Sequence, residues 1–85
     1  MRPSVSCNTL PVLHRNDNAT TPNPDVQYLQ GRLKLYGFDD IKIDGFFGKK
    51  TEDAVKDFQA RSEDPSSVVD GIVGPITWRA LSACV

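Results

Sequence analysis

The chain has 85 residues, of which 39% are hydrophobic and 25% are charged, and its formal net charge is −1. These values are ordinary for a single small folded domain. A chain without an excess of basic residues is poorly suited to nucleic acid or an anionic membrane surface, and no apolar run is long enough to span a bilayer. We therefore expect neither nucleic-acid binding nor membrane insertion.

Residues 1–24 are predicted to form an N-terminal tail and loop. The first eight residues have no periodicity, and residues 14–24 are rich in Asn, Asp, Thr and Pro. Such side chains bond the backbone locally and compete with regular structure. A short apolar segment, residues 9–13, separates the two stretches and is expected to pack on the body of the domain.

The two cysteines, Cys7 and Cys84, lie near opposite ends of the chain. The termini of a compact domain often lie close together, which favours a disulfide between them. Such a bond would stabilise the fold by roughly 4–5 kcal/mol through the entropy of the closed loop, and it would favour an oxidising compartment. The alternative is two free thiols. Two cysteines and His14 lack the paired spacing of a zinc site, so no metal site and no cofactor are predicted.

The first helix is predicted to follow Asn23, a suitable N-cap, with Pro24 as its first residue. Gly37 is expected to end the helix. Apolar residues recur at the three-and-four spacing of one helix face, at Val26, Leu29, Leu33 and Tyr36.

A thirteen-residue unit occurs twice, as IDGFFGKKTEDAV from Ile43 and as VDGIVGPITWRAL from Val69. In each unit Asp-Gly predicts a turn, an apolar pair follows, and a second glycine stands where a helix N-cap belongs. The threonine three residues later is expected to bond back to the first helical turn. The structural turn residues are Asp44, Gly45, Gly48 and Thr51 in the first unit and Asp70, Gly71, Gly74 and Thr77 in the second.

These units predict a second helix that starts near Lys49 and a third that runs from about Pro75 to Ala83. A further match relates Val26-x-x-Leu29-Gln30-x-Arg32 to Val55-x-x-Phe58-Gln59-x-Arg61. The fold class is therefore predicted as all-α, a small three-helix bundle with an internal pseudo-repeat over residues 25–83, with the irregular N-terminal segment packed on it.

No catalytic residues are predicted. His14 lies in a polar loop and is interpreted as a surface residue, and nucleophilic catalysis needs a nucleophile with a positioned base. A pair of carboxylates could serve glycoside cleavage, but Asp44 and Asp70 are explained by their turns.

Binding is better supported, because the chain has more apolar turn residues and aromatics than a small core consumes. Tyr36 and Trp78 are expected to be the most exposed, since each has a polar tip that needs water or a partner. The alternative for each candidate is a place in the core. The candidate ligand-binding residues are Tyr36, Phe38, Phe46, Phe47, Ile72 and Trp78.

Taken together, these motifs resemble the bacterial peptidoglycan-binding domain of the three-helix type. The resemblance covers roughly residues 25–82 and rests on the paired D-G-x-x-G-x-x-T motifs with Phe58-Gln59 between them, and on Tyr36-Gly37-Phe38. The chain departs from the family pattern in a longer loop before the first helix and in a loop after the second helix, SEDPSS, without the usual glycine.

The resemblance implies a non-catalytic module that binds peptidoglycan, through its glycan or its stem peptide, and tethers an associated wall hydrolase. It implies a periplasmic or extracellular, cell-wall-associated location, and a monomer is expected. The alternative is a protein-interaction or inhibitory module, like the prodomain of an exported peptidase. Animal matrix metalloproteinase prodomains have a similar fold, but the cysteine-switch segment that they contain is not recognisable here.

Overall fold

The computed structural model describes residues 6–64 and 67–84. Three α-helices follow a short 3₁₀ turn at Cys7–Thr9: α1 (Pro24–Leu35), α2 (Lys49–Arg61) and α3 (Pro75–Ala80). Within the described residues the only extended pairing is an isolated antiparallel bridge between Leu13 and Val73. The all-α expectation is confirmed. No helix in the described part of the chain has both the length and the apolar character needed to cross a membrane.

Local signals set the bounds of α1. The Asn23 side chain accepts a hydrogen bond of 2.8 Å from the Asp25 N–H, and Pro24 is the first helical residue. At the other end Gly37 has a φ of 100°, and the Phe38 N–H donates back to the Leu33 carbonyl at 3.2 Å. A glycine at positive φ therefore ends the helix, as predicted.

Helices α2 and α3 begin as predicted but α3 ends early. Gly48 and Gly74 are the N-cap residues. The prediction that α3 reaches Ala83 is wrong, since the helix stops at Ala80 and Ser82 takes a φ of 55°. This left-handed residue turns the chain, and the last described residue then approaches the N-terminal segment.

The N-terminal segment is part of the packed structure. Cys7 and Cys84 form a disulfide with their Cα atoms 5.0 Å apart, so the expected pairing is present. Leu13 and Val73 exchange backbone hydrogen bonds of 3.0 and 2.8 Å. Cys7 and Leu13 are both buried in the core. Residues 1–5 of the predicted tail and Pro65 and Ser66 of the predicted SEDPSS loop lie outside the described residues.

Trp78 is at the centre of the core, and the expectation that it is exposed is wrong. Its side chain is 0% exposed, it stacks on Tyr28 with ring centroids 5.9 Å apart, and its indole N–H donates to the Pro11 carbonyl at 2.9 Å. The polar tip has thus found its partner in the N-terminal segment instead of in water. The other side chains with no exposed surface are Leu29, Leu33, Val55, Val73, Leu81 and Ala83.

Candidate functional site

The first Asp-Gly turn is held by a buried glutamine of α1. The Gln30 amide nitrogen donates to Asp44 Oδ1 at 3.0 Å, to the Phe46 carbonyl at 3.0 Å and to Thr51 Oγ1 at 3.1 Å. Its oxygen accepts from the Gly45 N–H at 2.9 Å. One side chain, 1% exposed, therefore ties α1 to both the turn and the start of α2.

The second turn is held in the same way by Gln59 of α2. Its amide nitrogen donates to Asp70 Oδ1 at 3.1 Å, to the Ile72 carbonyl at 2.9 Å and to Thr77 Oγ1 at 3.1 Å. Its oxygen accepts from the N–H groups of Asp70 and Gly71. The two turns thus have equivalent hydrogen bonds, each supplied by the helix that precedes the turn.

The turn aspartates bond the backbone directly after them. Asp44 Oδ1 accepts from the Phe46 N–H at 3.0 Å, and this bond lowers the pKa of the carboxyl below its ordinary value. Asp70 Oδ1 accepts from the Ile72 N–H at 2.9 Å. In both units the carboxylate shapes the turn, which leaves it unlike a paired catalytic group.

The expected role of the two threonines is wrong. Their hydroxyls accept hydrogen bonds from the glutamines of the preceding helices and not from the first helical turn. Sequence reasoning missed Gln30 and Gln59 as structural residues. Their signal was present in the second sequence match, where both glutamines stand at the same place after an apolar residue.

Two adjoining cavities lie between α2 and the connection from α1, and we call them together the α2 groove. The larger, of about 490 Å³, has Phe38, Ile41 and Ala54 as its apolar part. The second, of about 400 Å³, shares Ile41 and Lys50 with the first, so the two cavities are neighbours. The remaining lining residues are Gly37, Asp39, Asp40, Asp53, Asp57 and Arg61 in the larger cavity, and Gln30, Lys42, Asp44, Phe46, Gly48, Lys49 and Thr51 in the second.

Some charges of the α2 groove are already paired. Arg61 donates to both carboxylate oxygens of Asp57, at 2.9 and 3.1 Å, and its guanidinium lies 5.7 Å from the ring centroid of Phe38. Lys49 contacts Asp53 at 2.8 Å, and this close bond lowers the pKa of the Asp53 carboxyl. Both are solvent-exposed pairs one helical turn apart, which contribute little to stability.

Five other charged side chains of the groove form no salt bridge among the residues that the structure describes: Asp39, Asp40, Lys42, Asp44 and Lys50. Asp44 accepts hydrogen bonds within the first turn. Asp39 and Asp40 line only the larger cavity, and Lys42 lines only the second. Lys50 stands where the cavities meet. The larger cavity is lined by four acidic and two basic side chains, and the second by one acidic and three basic ones. Acidic groups are therefore in excess in the larger cavity and basic groups in the second.

The structure brings two of the six candidate ligand-binding residues into the groove. Phe38 lines the larger cavity and Phe46 the second, and both are half-buried. Phe47 is only 2% exposed and, like Trp78, belongs to the core. Neither of these two rings can contact a ligand in this structure.

The remaining two candidates are exposed but lie outside both cavities of the groove. Tyr36 packs edge-on against Phe58, with ring centroids 5.4 Å apart, and its hydroxyl lies 2.8 Å from Ser82 Oγ. Ile72 is 43% exposed beside the second turn. The α2 groove thus lies beside the first unit, and no residue of the second unit lines either of its cavities.

The described part of the chain contains no cluster of side chains suited to metal binding or to nucleophilic catalysis. No group of three or more His, Cys, Asp and Glu side chains there could hold a metal ion. His14 is exposed, and its Nδ1 lies 3.0 Å from the carbonyl oxygen of Arg15. What the groove offers is an apolar surface bordered by charges of both signs, which is suited to binding.

Comparison with known proteins gives a consistent result. The sequence matches the family described as a peptidoglycan binding domain over residues 22–81. The fold is similar to the crystal structure of the SleB N-terminal domain, with a TM-score of 0.68 and 37% identity over 86% of this chain and 90% of that one. A spore cortex-lytic enzyme of Halalkalibacterium halodurans is 47% identical over 51 residues, which are 60% of this chain and 14% of the enzyme.

Proposed function

We propose, since this chain belongs to the peptidoglycan binding domain family, that it is the non-catalytic module by which an associated wall hydrolase is held on peptidoglycan. The matched region is a binding domain and not a catalytic one. Cell-wall association follows from this function. We take residues 25–83 as the binding domain, to which the N-terminal segment is fastened.

The α2 groove is the proposed binding site. The single observation that supports it is the half-exposed apolar surface of Phe38 and Ala54 between charged walls, with the buried Ile41 also lining the cavity. A ligand site is typically a largely preformed concavity with apolar lining and a few polar groups that fix orientation. Helix α2 has 13 residues and is therefore about 20 Å long, which suits a segment of an extended polymer.

Tethering explains how such a module assists an enzyme. Once the module is bound, each later encounter of the linked enzyme with its substrate is intramolecular. The effective concentration of the enzyme at the substrate is therefore raised. The 51 matched residues cover 14% of the length of the lytic enzyme, which is the share expected of one module. The Cys7–Cys84 disulfide favours an oxidising compartment, so the proposed location is periplasmic or extracellular. We propose that the module acts as a monomer.

Sedimentation with purified sacculi tests the function. The folded chain should be retained on sacculi well above an unrelated small acidic domain of equal size. Retention no greater than that of the unrelated domain would exclude peptidoglycan binding.

A pair of alanine variants tests the site. Ala54 lies in the larger cavity, whereas Ala60 is an exposed residue of the same helix outside both cavities. Glutamine is a good helix former at either position. Ala54→Gln should fill part of the cavity and weaken retention, while Ala60→Gln should bind like the unchanged chain. Equal retention of the two variants, with both folded by circular dichroism, would move the site away from the α2 groove.

A further inference from the structure

We infer that the α2 groove takes the stem peptide of peptidoglycan and not its glycan strand, with an amino group of the peptide beside Asp39 and Asp40 and a carboxylate beside Lys42 and Lys50. This inference rests on the proposed function and gives the ligand class and its direction in the groove. It follows from the distribution of charges in the groove, from the guanidinium that lies close to the Phe38 ring and from the length of the groove.

The charge separation favours a zwitterionic ligand. Asp39 and Asp40 are exposed at the larger cavity, where acidic groups are in excess. Lys42 and Lys50 are exposed at the second cavity, where basic groups are in excess although Asp44 also lines it. A stem peptide carries free carboxylates and, at a diamino acid, an ammonium group. The sugar rings of the glycan strand carry neutral hydroxyl and acetamido groups, which leave such charges unpaired. Complementary charges fix the register and orientation of a partner.

Phe38 and Trp78 are poorly placed to stack on a sugar ring. A pyranose ring commonly packs flat on an open aromatic face, but the Arg61 guanidinium already lies 5.7 Å from the centroid of Phe38. Trp78 is fully buried and therefore offers no face at all. The apolar surface that stays open in the larger cavity suits the short aliphatic side chains of a peptide.

The dimensions of the groove agree with a short peptide. An extended peptide of about four residues is about 13 Å long. Helix α2, with 13 residues, extends for about 20 Å along the groove. Asp40 and Lys42 are two positions apart in the chain, which places their Cα atoms at most about 7 Å apart, so one stem peptide is long enough to contact both.

The test uses three soluble probes with the full chain, followed by isothermal titration and by amide chemical shifts. The first probe is the tripeptide N-acetyl-L-alanyl-γ-D-glutamyl-meso-diaminopimelic acid, whose only free amine is on the diamino acid. The second is the same peptide acetylated on that side-chain amine as well, and the third is an N-acetylglucosamine tetramer. We expect the free-amine peptide to bind most tightly, with shifts at Phe38, Asp40 and Lys50, and the sugar tetramer to leave these amides unmoved.

Variants that remove charges test the proposed direction of the peptide in the groove. Asp39→Asn with Asp40→Asn should weaken binding of the free-amine peptide about threefold to tenfold and leave the acetylated peptide unchanged, because each exposed pair contributes modestly. The matched control, Asp17→Asn with Glu63→Gln, removes two exposed carboxylates outside both cavities and should change neither affinity.

The basic part of the groove is tested in the same way. Lys50→Gln should weaken both peptides about equally, by about twofold to fivefold, since both keep their carboxylates. Arg79→Gln, an exposed change on α3 outside both cavities, is the control and should have no effect.

Several results would overturn the inference while the proposed function stands. Binding of the sugar tetramer with shifts in the groove would do so, and so would retention on sacculi with no binding of either peptide. Equal loss for both peptides in the Asp39 and Asp40 variant would overturn the direction. Failure of the unchanged chain to bind sacculi is a different result, which removes the proposed function itself.

Discussion

Replacing Gln30 by Met should strongly destabilise the domain. Methionine has a similar length and fills the same space, but it offers neither the N–H donors nor the oxygen acceptor of the amide. Gln30 makes three donor contacts and one acceptor contact within 2.9–3.1 Å. The change therefore removes the side-chain hydrogen bonds by which Gln30 joins α1 to the first turn, while it preserves the volume of the side chain.

The expected loss of stability follows from the polar groups that lose their hydrogen-bond partner when Gln30 is replaced. The Gly45 N–H and the Thr51 hydroxyl lie in buried positions, and each buried polar group without a partner costs about 1–3 kcal/mol. The Phe46 carbonyl and the Asp44 carboxylate are closer to water and can be rehydrated. The free energy of unfolding should thus fall by about 2–6 kcal/mol, a large share of the about 5–15 kcal/mol typical of a domain.

Urea unfolding followed by tryptophan fluorescence measures this loss, since the buried Trp78 indole enters water on unfolding. Gln27→Met is the matched control. Gln27 is a half-buried residue of the same helix, and its side chain has no hydrogen bond within the described structure. Gln59→Met should be as destabilising as Gln30→Met because its contacts are equivalent. A fall below about 1 kcal/mol at an unchanged m-value, or one equal to that of Gln27→Met, would refute the reasoning.

Three further changes have definite expected outcomes. Replacing Cys7 and Cys84 by Ser should lower the stability by about 4 kcal/mol, because the bond joins residues 77 apart; an unchanged melting temperature in non-reducing buffer would contradict this. Asp44 has a lowered pKa in the folded chain, so its carboxylate stabilises the fold above about pH 4 and loses this effect as the pH falls through the folded pKa. The urea midpoint should fall between about pH 6 and about pH 2, and it should fall less for Asp44→Asn than for the unchanged chain. An equal fall for both would show that the hydrogen bond of Asp44 to the backbone does not cause the pH dependence. Gly45→Ala should be more destabilising than Gly37→Ala by about 1–3 kcal/mol. Both residues have positive φ, but an added Cβ at Gly45 would lie 2.8 Å from a carbon of the preceding loop, whereas at Gly37 nothing lies within 4 Å; equal urea midpoints would disprove the clash.

Much of the candidate site could not be predicted from the sequence. Phe38 and Phe46 were expected to bind ligand and do line the α2 groove. The charged residues of α2 do not by themselves predict a site, because the pattern along the helix does not reveal that Asp39 and Asp40 line the same cavity. A groove is formed by two segments, and only their packing decides which charges meet.

The sequence alone determined where the helices begin and how the turns are made. Asn23, Gly48 and Gly74 act on backbone groups within a few residues, so their effect can be read locally. The family could likewise be inferred from the sequence, because its paired turn motifs are local signals of this kind.

Only the tertiary structure decided which polar side chains became structural and which aromatic rings became core. Trp78 bonds the carbonyl of a residue 67 positions away, and Gln30 and Gln59 bond turns 11 to 21 positions further along the chain. The burial of such groups depends on partners brought together by folding, and that information lies in no single stretch of the sequence.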